Sequence, residues 1–227
     1  MTHYALIPAF NEGKNIKEVI TRLKKYKKVK IIVIDDGSTD STPEIVKKLG
    51  TILIRHETNK GKGEAIKTGF QHILNNHPEA KYIILIDADM QYSPEDVGRI
   101  LKPLEEGEAD YVTGYRTPKD VPYANRIGNF GWRILFNLLF GSNLKDTNCG
   151  YVGMTKEAMK KLKNVHGGYI IENSMFRDAI KNKLRIKQVP IKVVYKKRKI
   201  RKFAKMFFGV SIFIFIEGLK FRLGIES

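Results

Sequence analysis

The sequence predicts an α/β domain built on a mostly parallel sheet flanked by helices. Three observations lead there. Short apolar runs alternate with helix-period patterns through the first half of the chain, as expected of strands joined by crossover helices. Three of those runs end on polar, mostly acidic residues, "PAFNEG", "DDGSTD" and "DADMQ", at the strand ends where open α/β sheets hold their ligands. At 227 residues, the chain suits one domain of the larger kind, able to bury a core without disulfides or structural metals.

The elements follow in order. "YALIP" is the first predicted strand, and Ile16, Val19, Ile20 and Leu23 then recur at i, i+3, i+4 and i+7, one face of a helix. "KIIVIDD" is the second strand. "STPEIVKKLG" reads as a short helix, with Pro43 just inside its start and Gly50 just past its end. "TILIR" is the third strand, followed by a helical stripe of Ile66, Phe70, Ile73 and Leu74. "YIILID" is the fourth. After it Ser93 is the expected N-cap, with Pro94, Glu95 and Asp96 behind it and Val97, Ile100, Leu101 and Leu104 facing inward. "DYVTGYR" is the fifth strand. From Tyr123 the pattern changes: "RIGNFGWRILFNLLFG" is a helix with little polar relief, "DTNCGYVGMT" a strand or loop pair, "ENSMFRDAIKNK" a helix and "RIKQVPIKVVY" a strand. The last segment has an apolar centre from Met206 to Ile216 between Lys205 and Glu217. That centre is shorter than the roughly 20 residues of a spanning helix. It fits a helix packed on the domain or lying in a membrane interface. The expected organisation is a domain over 1–202 and a C-terminal apolar helix over 203–227.

Charge narrows the partners. Lys plus Arg is 41 against 24 Asp plus Glu, a formal net charge of +17, which implies an anionic partner such as a phosphorylated substrate, a nucleic acid or a membrane surface. No acidic residue falls between Asp178 and Glu217, whereas lysines and arginines gather there. The single cysteine, Cys149, cannot form an internal bridge and reads as a small buried residue. The five histidines show no ligand spacing. "MTHYALIPAF" runs straight into a strand without signal-peptide regions, so the expected location is cytoplasmic.

The chemistry lies at the strand ends. Three acidic ends on one rim are costly unless they face a cation or hydrogen-bond donors. In "DADMQ", Asp87 and Asp89 project to one side if the backbone stays extended, and Gln91 continues the spacing. Oxygen ligands of this kind suit Mg²⁺ or Mn²⁺ with positions left for phosphate oxygens. Asp36 to Ser38 read either as an Asx-turn or as acceptors for a nucleoside. "NKGKGEA" offers Lys60, Gly61, Lys62 and Gly63 before a helix, a place for a phosphate. It matches neither the P-loop nor the dinucleotide fingerprint.

Taken together, "IPAFNE", "VIDDGSTDST", "NKGKGEAIKTGF", "ILIDADMQYSPEDV", "TGYR" and "DTNCGY" resemble family 2 glycosyltransferases. The resemblance is strongest to dolichol-phosphate mannose synthases and related polyprenyl-phosphate glycosyltransferases, and it covers Tyr4 to Lys202. It implies a GT-A fold, with a Rossmann-like sheet, that uses a nucleotide-diphosphate sugar and a divalent metal and inverts the anomeric centre. By position, Pro8, Asn11, Glu12 and Asp36 fall where the family holds the nucleoside, and Asp87, Ala88 and Asp89 where it holds ribose and diphosphate. Asp89 and Gln91 match metal ligands, with Asp87 as a further one. Arg116 and Arg126 match arginines that hold an acceptor phosphate. Lys196, Arg198 and Lys202 fall in the basic segment that closes over the sugar nucleotide. There "YKKRKIRKFAK" departs from the Gly-x-Ser-Lys run of close relatives, and the Q-x-x-R-W element of processive synthases is absent.

The expected reaction is transfer of a hexose, from GDP-mannose or UDP-glucose, to a polyprenyl (dolichyl) phosphate at the cytoplasmic face of a membrane. A sugar hydroxyl acceptor would need a carboxylate base, whereas a lipid phosphate is already an anion and needs orienting arginines. The basic run followed by an apolar helix favours the lipid acceptor and an anionic membrane surface. A soluble or glycan hydroxyl is the alternative acceptor. A nucleic-acid binder would explain the net charge but leaves the acidic strand ends without a role.

Overall fold

A computed structural model describes residues 2–117, 123–163, 165, 168, 170–194 and 200–225, side chains of 123–127 and 200–208 excepted. Among the described residues, seven strands form one sheet in the order β3-β2-β1-β4-β6-β5-β7. They are β1 (Thr2–Ala9), β2 (Val29–Asp35), β3 (Ile52–Arg55), β4 (Ala80–Leu85), β5 (Tyr111–Arg116), β6 (Val152–Thr155) and β7 (Ile186–Ile191). All neighbours run parallel except β6, which lies antiparallel between β4 and β5.

The helices divide between the two faces of the sheet. α1 (Ile16–Leu23), α2 (Thr42–Lys48) and α4 (Val97–Glu105) cover one face, where Ile16, Val19, Leu23, Val46, Ile100 and Leu104 meet Ala5, Ile7, Val33 and Ile84. α3 (Lys62–Asn76), α5 (Tyr123–Phe140), α6 (Lys156–Lys161), α7 (Ile171–Lys181) and α8 (Ile200–Leu223) lie on the other side. Their Ile66, Phe70, Trp132, Phe136, Met159, Met175 and Ile214 bury Tyr4, Leu6, Ile83 and Met154. Successive β1 residues alternate between the two cores, which is why a strand buried on both faces reads as an unbroken apolar run.

Several local expectations change. Leu74 of the α3 stripe is exposed, and the core contact is made by Ile66, Phe70 and Ile73. Helix α4 starts at Val97 after a 3-10 turn over Pro94–Asp96, and Ser93 makes no side-chain cap. Its hydroxyl donates to Glu95 at 2.6 Å, and the Asp96 N–H that a cap oxygen could accept goes to the Ser93 backbone carbonyl at 3.0 Å. The six-residue helix α6 had no counterpart among the predicted elements. Thr155 caps it, accepting from the Ala158 N–H at 3.0 Å.

Helices α5 and α8 pack against each other. The Trp132 indole donates to Ser211 at 3.0 Å, and a Cβ added at Gly218 would come within 2.6 Å of Leu139, so only glycine permits this approach. Arg222 donates to the Leu139 carbonyl at 2.8 Å, which satisfies one of the orphan groups at the α5 terminus. Trp132, Phe136, Phe140, Val210 and Ile214 are buried between the pair and the sheet. The outward faces stay apolar: Phe130, Ile134 and Leu138 on α5, and Ile212, Phe215, Ile216, Leu219 and Leu223 on α8, are all exposed. Among the described residues, no helix is long and apolar enough to cross a membrane.

Candidate active site

The carboxyl ends of β1, β2 and β4 lie side by side, because those strands are neighbours in the sheet. Pro8 sits in β1 without cost. The Leu6 carbonyl accepts from Ile86 at 3.2 Å just past the last β1–β4 pair, Leu6 with Leu85, so the edge that Pro8 faces two residues on has no ladder to break.

Past the strands, the β1 and β2 loops are stitched together. Asn11 adopts a left-handed conformation with φ of 54°, which asparagine tolerates better than most residues. Its N–H donates to Ser38 at 2.9 Å and its side-chain oxygen accepts from the Thr39 N–H at 2.9 Å. Glu12 donates its N–H to Thr42 at 2.9 Å and accepts from the Asn15 amide at 2.6 Å.

Asp36 is buried, and its carboxylate collects three donors: His56 Nδ1 at 2.7 Å, the Lys60 N–H at 2.9 Å and the Gly61 N–H at 2.7 Å. A carboxylate at that distance requires Nδ1 of His56 to be the donor, and Nε2 meets Thr68 at 2.9 Å. Gly37 makes the crossing possible, since its φ is +75° and a Cβ there would lie 2.6 Å from the Thr58 backbone. In this geometry Asp36 fastens the 56–61 loop, and through it the start of α3.

That loop delivers Lys62. Its ammonium lies 2.7 Å from Asp87 Oδ1 and 3.2 Å from Glu172 Oε1 at the start of α7. Burial works against its charge, but Asp87 and Glu172 outweigh it and raise the Lys62 pKa. Gly150 closes the cluster: a Cβ on it would meet Glu172, Asp87 and Lys62 at 3.1, 3.2 and 3.2 Å. A pocket opens here, floored by Ile66, Leu85, Val152, Ile171 and Met175, with Pro8 and these charged groups at its rim.

The expectation that Asp87 and Asp89 share one side of an extended strand is corrected. Strand β4 ends at Leu85, and the chain turns at Ala88 and Asp89, with Met90 left-handed at φ 61°. The two carboxylates have different partners. Asp87 faces Lys62, while Asp89 accepts from the Gln91 N–H at 3.0 Å and the Gln91 amide at 2.6 Å. Beyond them Tyr92 is buried, its oxygen accepting from the Gly150 N–H at 2.9 Å, and Gln91 accepts from the Val194 N–H at 2.8 Å. The acidic turn thus ties both the 141–151 loop and the chain after β7 to the rim.

The donor set can be tested for a cation. Asp87, Asp89 and Gln91 stand partly exposed at one turn, but among the described residues no group of three His, Cys, Asp or Glu could hold a metal alone. Such a set fits a hard cation that takes its remaining ligands from substrate phosphates, as Mg²⁺ commonly does.

Arg116 extends from the end of β5 into a fork-like pair with Asp146, Nε to Oδ2 at 2.6 Å and Nη2 to Oδ1 at 2.7 Å. Asp146 also accepts from the Asn148 N–H at 3.0 Å, and Asn173 of α7 donates to Asn148 at 2.9 Å. Burial pushes the Asp146 carboxyl up, but Arg116 more than offsets it and holds it below the usual range. Arg126 and Lys202 lie in α5 and α8, but their side chains are outside the described residues, as are Lys196 and Arg198 entirely.

Sequence reading therefore placed Pro8, Asn11, Glu12, Asp36, Asp87, Ala88, Asp89 and Gln91 around one rim, and it named Lys62 only as a neighbour of phosphate. It missed Glu172, held Asp146 and Gly150 only within the motif "DTNCGY", and took His56 with the other histidines as solvated or structural. Glu172 left one signal, a carboxylate directly after the apolar "GGYII".

Comparison with known proteins shows the family and the fold. The model of the family described as Glycosyl transferase family 2 matches residues 4–184. An uncharacterized protein of Methanocaldococcus jannaschii is 38% identical over 199 residues, 85% of this chain and 81% of its own. A UDP-N-acetylglucosamine–dolichyl-phosphate N-acetylglucosaminyltransferase of Methanococcus voltae is 32% identical over 234 residues, 92% of each chain. Among solved structures, glucosyl-3-phosphoglycerate synthase from Mycobacterium tuberculosis, in complex with Mn²⁺, uridine diphosphate and glucosyl-3-phosphoglycerate, superposes with a TM-score of 0.79. It is 24% identical, and the match covers 100% of this chain and 81% of that one. That likeness is one of fold, and it bears out the GT-A expectation.

Proposed function

The chain belongs to glycosyl transferase family 2, and from that premise we propose that it moves a hexosyl residue from a nucleotide-diphosphate sugar to a polyprenyl phosphate. The observation that carries the acceptor is the exposed apolar face of α5 and α8 on the domain that bears the acidic rim. An isoprenoid chain is membrane-bound, so its phosphate is reached by a protein that rests an apolar face on the bilayer. The relative from Methanococcus voltae, named for transfer to dolichyl phosphate, supports the same reading.

In this reading Pro8, Asn11, Glu12 and Asp36 shape the nucleoside side of the rim, with Asp36 acting through the loop it anchors. Asp89, Gln91 and Asp87 hold the diphosphate end through Mg²⁺ or Mn²⁺. When bound, such a cation supplies Lewis-acid stabilisation of the departing diphosphate. Lys62 adds a positive charge beside the same end. Arg116, its plane held by Asp146, and Arg126 orient the acceptor phosphate, whose oxygen is already an anion and needs no base. Lys196, Arg198 and Lys202 close over the donor. Residues 203–227 and the α5 face meet an anionic membrane surface on its cytoplasmic side, where basic residues near the apolar stripe are favoured.

A hydroxyl acceptor is the second reading, favoured by Glu172. A carboxylate at the pocket rim within reach of Asp87 is where a general base would stand.

The test incubates the full chain with Mg²⁺ or Mn²⁺, dolichyl phosphate and labelled GDP-mannose, UDP-glucose or UDP-N-acetylglucosamine in turn. Label is expected in the lipid phase with one donor. Label on a soluble sugar and none in lipid would overturn the acceptor and favour the Glu172 reading.

A further inference from the structure

We infer that Lys62 is a tethered counter-ion that competes with a divalent cation for Asp87, so that the cation binds firmly only together with a nucleoside diphosphate. The inference rests on the donor-site reading above and concerns the order in which that site fills.

The geometry carries it. The Lys62 ammonium touches Asp87 at 2.7 Å and Glu172 at 3.2 Å, so one positive charge is shared by two carboxylates. The lysine is the first residue of α3, and the Gly61 N–H just before it is held by Asp36, so its backbone has a fixed starting point. The side chain beyond is a flexible stem with a strongly hydrated head, and it keeps 30% of its surface exposed. It can therefore leave Asp87 without unfolding anything.

The charges then set the order. A dication arriving at Asp87 alone meets the ammonium already on that carboxylate, and like charges at such separations repel strongly where water is partly excluded. Lys62 must withdraw to Glu172, which remains its partner. A diphosphate arriving with the cation changes the balance, because its oxygens complete the coordination that Asp87, Asp89 and Gln91 leave incomplete. They also give the displaced ammonium a new anion. Gly150 holds the three groups close, since any larger residue would press on all of them at 3.1 to 3.2 Å. Glu172 is thus the resting place of the lysine, and the pair makes cation and nucleotide binding mutually dependent.

Two substitutions should act in opposite directions, which a merely structural role would not produce. Mn²⁺ binding to the full chain is measured by electron paramagnetic resonance of the free ion, first with Mn²⁺ alone and then with UDP or GDP. Wild type is expected to bind Mn²⁺ weakly alone and about tenfold tighter with the matching nucleotide. Lys62→Met should bind Mn²⁺ alone about threefold tighter or better and gain less from the nucleotide. Glu172→Gln should bind Mn²⁺ alone more weakly than wild type, because Asp87 then keeps the lysine to itself. Lys62→Arg, which preserves the charge, should stay near wild type. If nucleotide strengthens Mn²⁺ binding in wild type but Lys62→Met leaves the affinity for Mn²⁺ alone unchanged or lower, the inference falls and the donor site stands. Should neither nucleotide strengthen Mn²⁺ binding in wild type, the donor-site reading falls and the inference with it.

Discussion

The acidic rim and the α5–α8 pair are built on opposite principles. At the rim the charged and polar groups hold one another. Asp36 takes three donors, Asn11 locks the neighbouring loop, and Asp87, Lys62 and Glu172 hold one another. Among the described residues, the helix pair is joined by Trp132 to Ser211 and Arg222 to the Leu139 carbonyl and elsewhere by apolar packing, leaving an outer apolar stripe exposed. Charged groups are held by specific partners at set distances, whereas an apolar face needs only shape and hydrophobicity.

The sharpest way to break that contrast is at the rim. Asp89→Ala should lower lipid-linked product formation by about a hundredfold to a thousandfold, measured as the initial rate of label entering the lipid phase. Unchanged turnover would mean that the acidic turn is not a platform for the leaving group. Asp36→Ala should cost about 2–4 kcal/mol of stability, because two backbone N–H groups and His56 lose a buried acceptor. A urea melt checks it. If Asp36 served a ligand alone, the melt would stay put and only donor affinity would fall.

The Arg116–Asp146 pair sharpens the contrast through pH. The folded Asp146 carboxyl is held below its usual value, so its stabilisation is present above the unfolded value of about 3.9. It is lost as pH falls through the lower folded value. Wild type should exceed Asp146→Asn in stability at pH 7, and the gap should narrow as urea midpoints are followed into acid. A gap that stays constant would show that the pair does not titrate as a unit. The smallest expected effect on stability is at the helix pair. Replacing Phe215 and Leu219 by serine should move the urea midpoint little, within about 0.5 kcal/mol for each exposed site. It should reduce co-sedimentation with anionic vesicles severalfold. A large loss of stability with vesicle binding intact would make the stripe core and not interface.

Much of the framework was legible because it depends on short-range periodicity. The stripe of Ile16, Val19, Ile20 and Leu23 and that of Val97, Ile100, Leu101 and Leu104 are buried as their spacing requires. Cys149 is buried, and His3 and His56 are buried structural residues. The rule that strand side chains alternate failed at Asp87 because β4 ends two residues earlier, at Leu85, and no local pattern marked that end. For the apolar C-terminal segment, periodicity alone did not say which face turns inward. Packing on α5 chose Val210 and Ile214 for the core and left Ile212, Phe215 and Ile216 outside.

The sequence by itself determined the α/β alternation, the three polar strand ends and, through its ordered motifs, the family. These are properties of neighbouring residues, and hydrophobic period and turn chemistry express them without reference to the rest of the chain. Only the tertiary structure decided that β6 enters the sheet antiparallel between β4 and β5, bringing the Gly150 loop and, through α7, Glu172 to the rim. It also decided that Lys62 meets a partner 110 positions away and that Arg116 closes on Asp146. Such pairings depend on where the packed core places distant backbone segments. Long charged side chains then settle on whichever opposite charge the fold brings within reach.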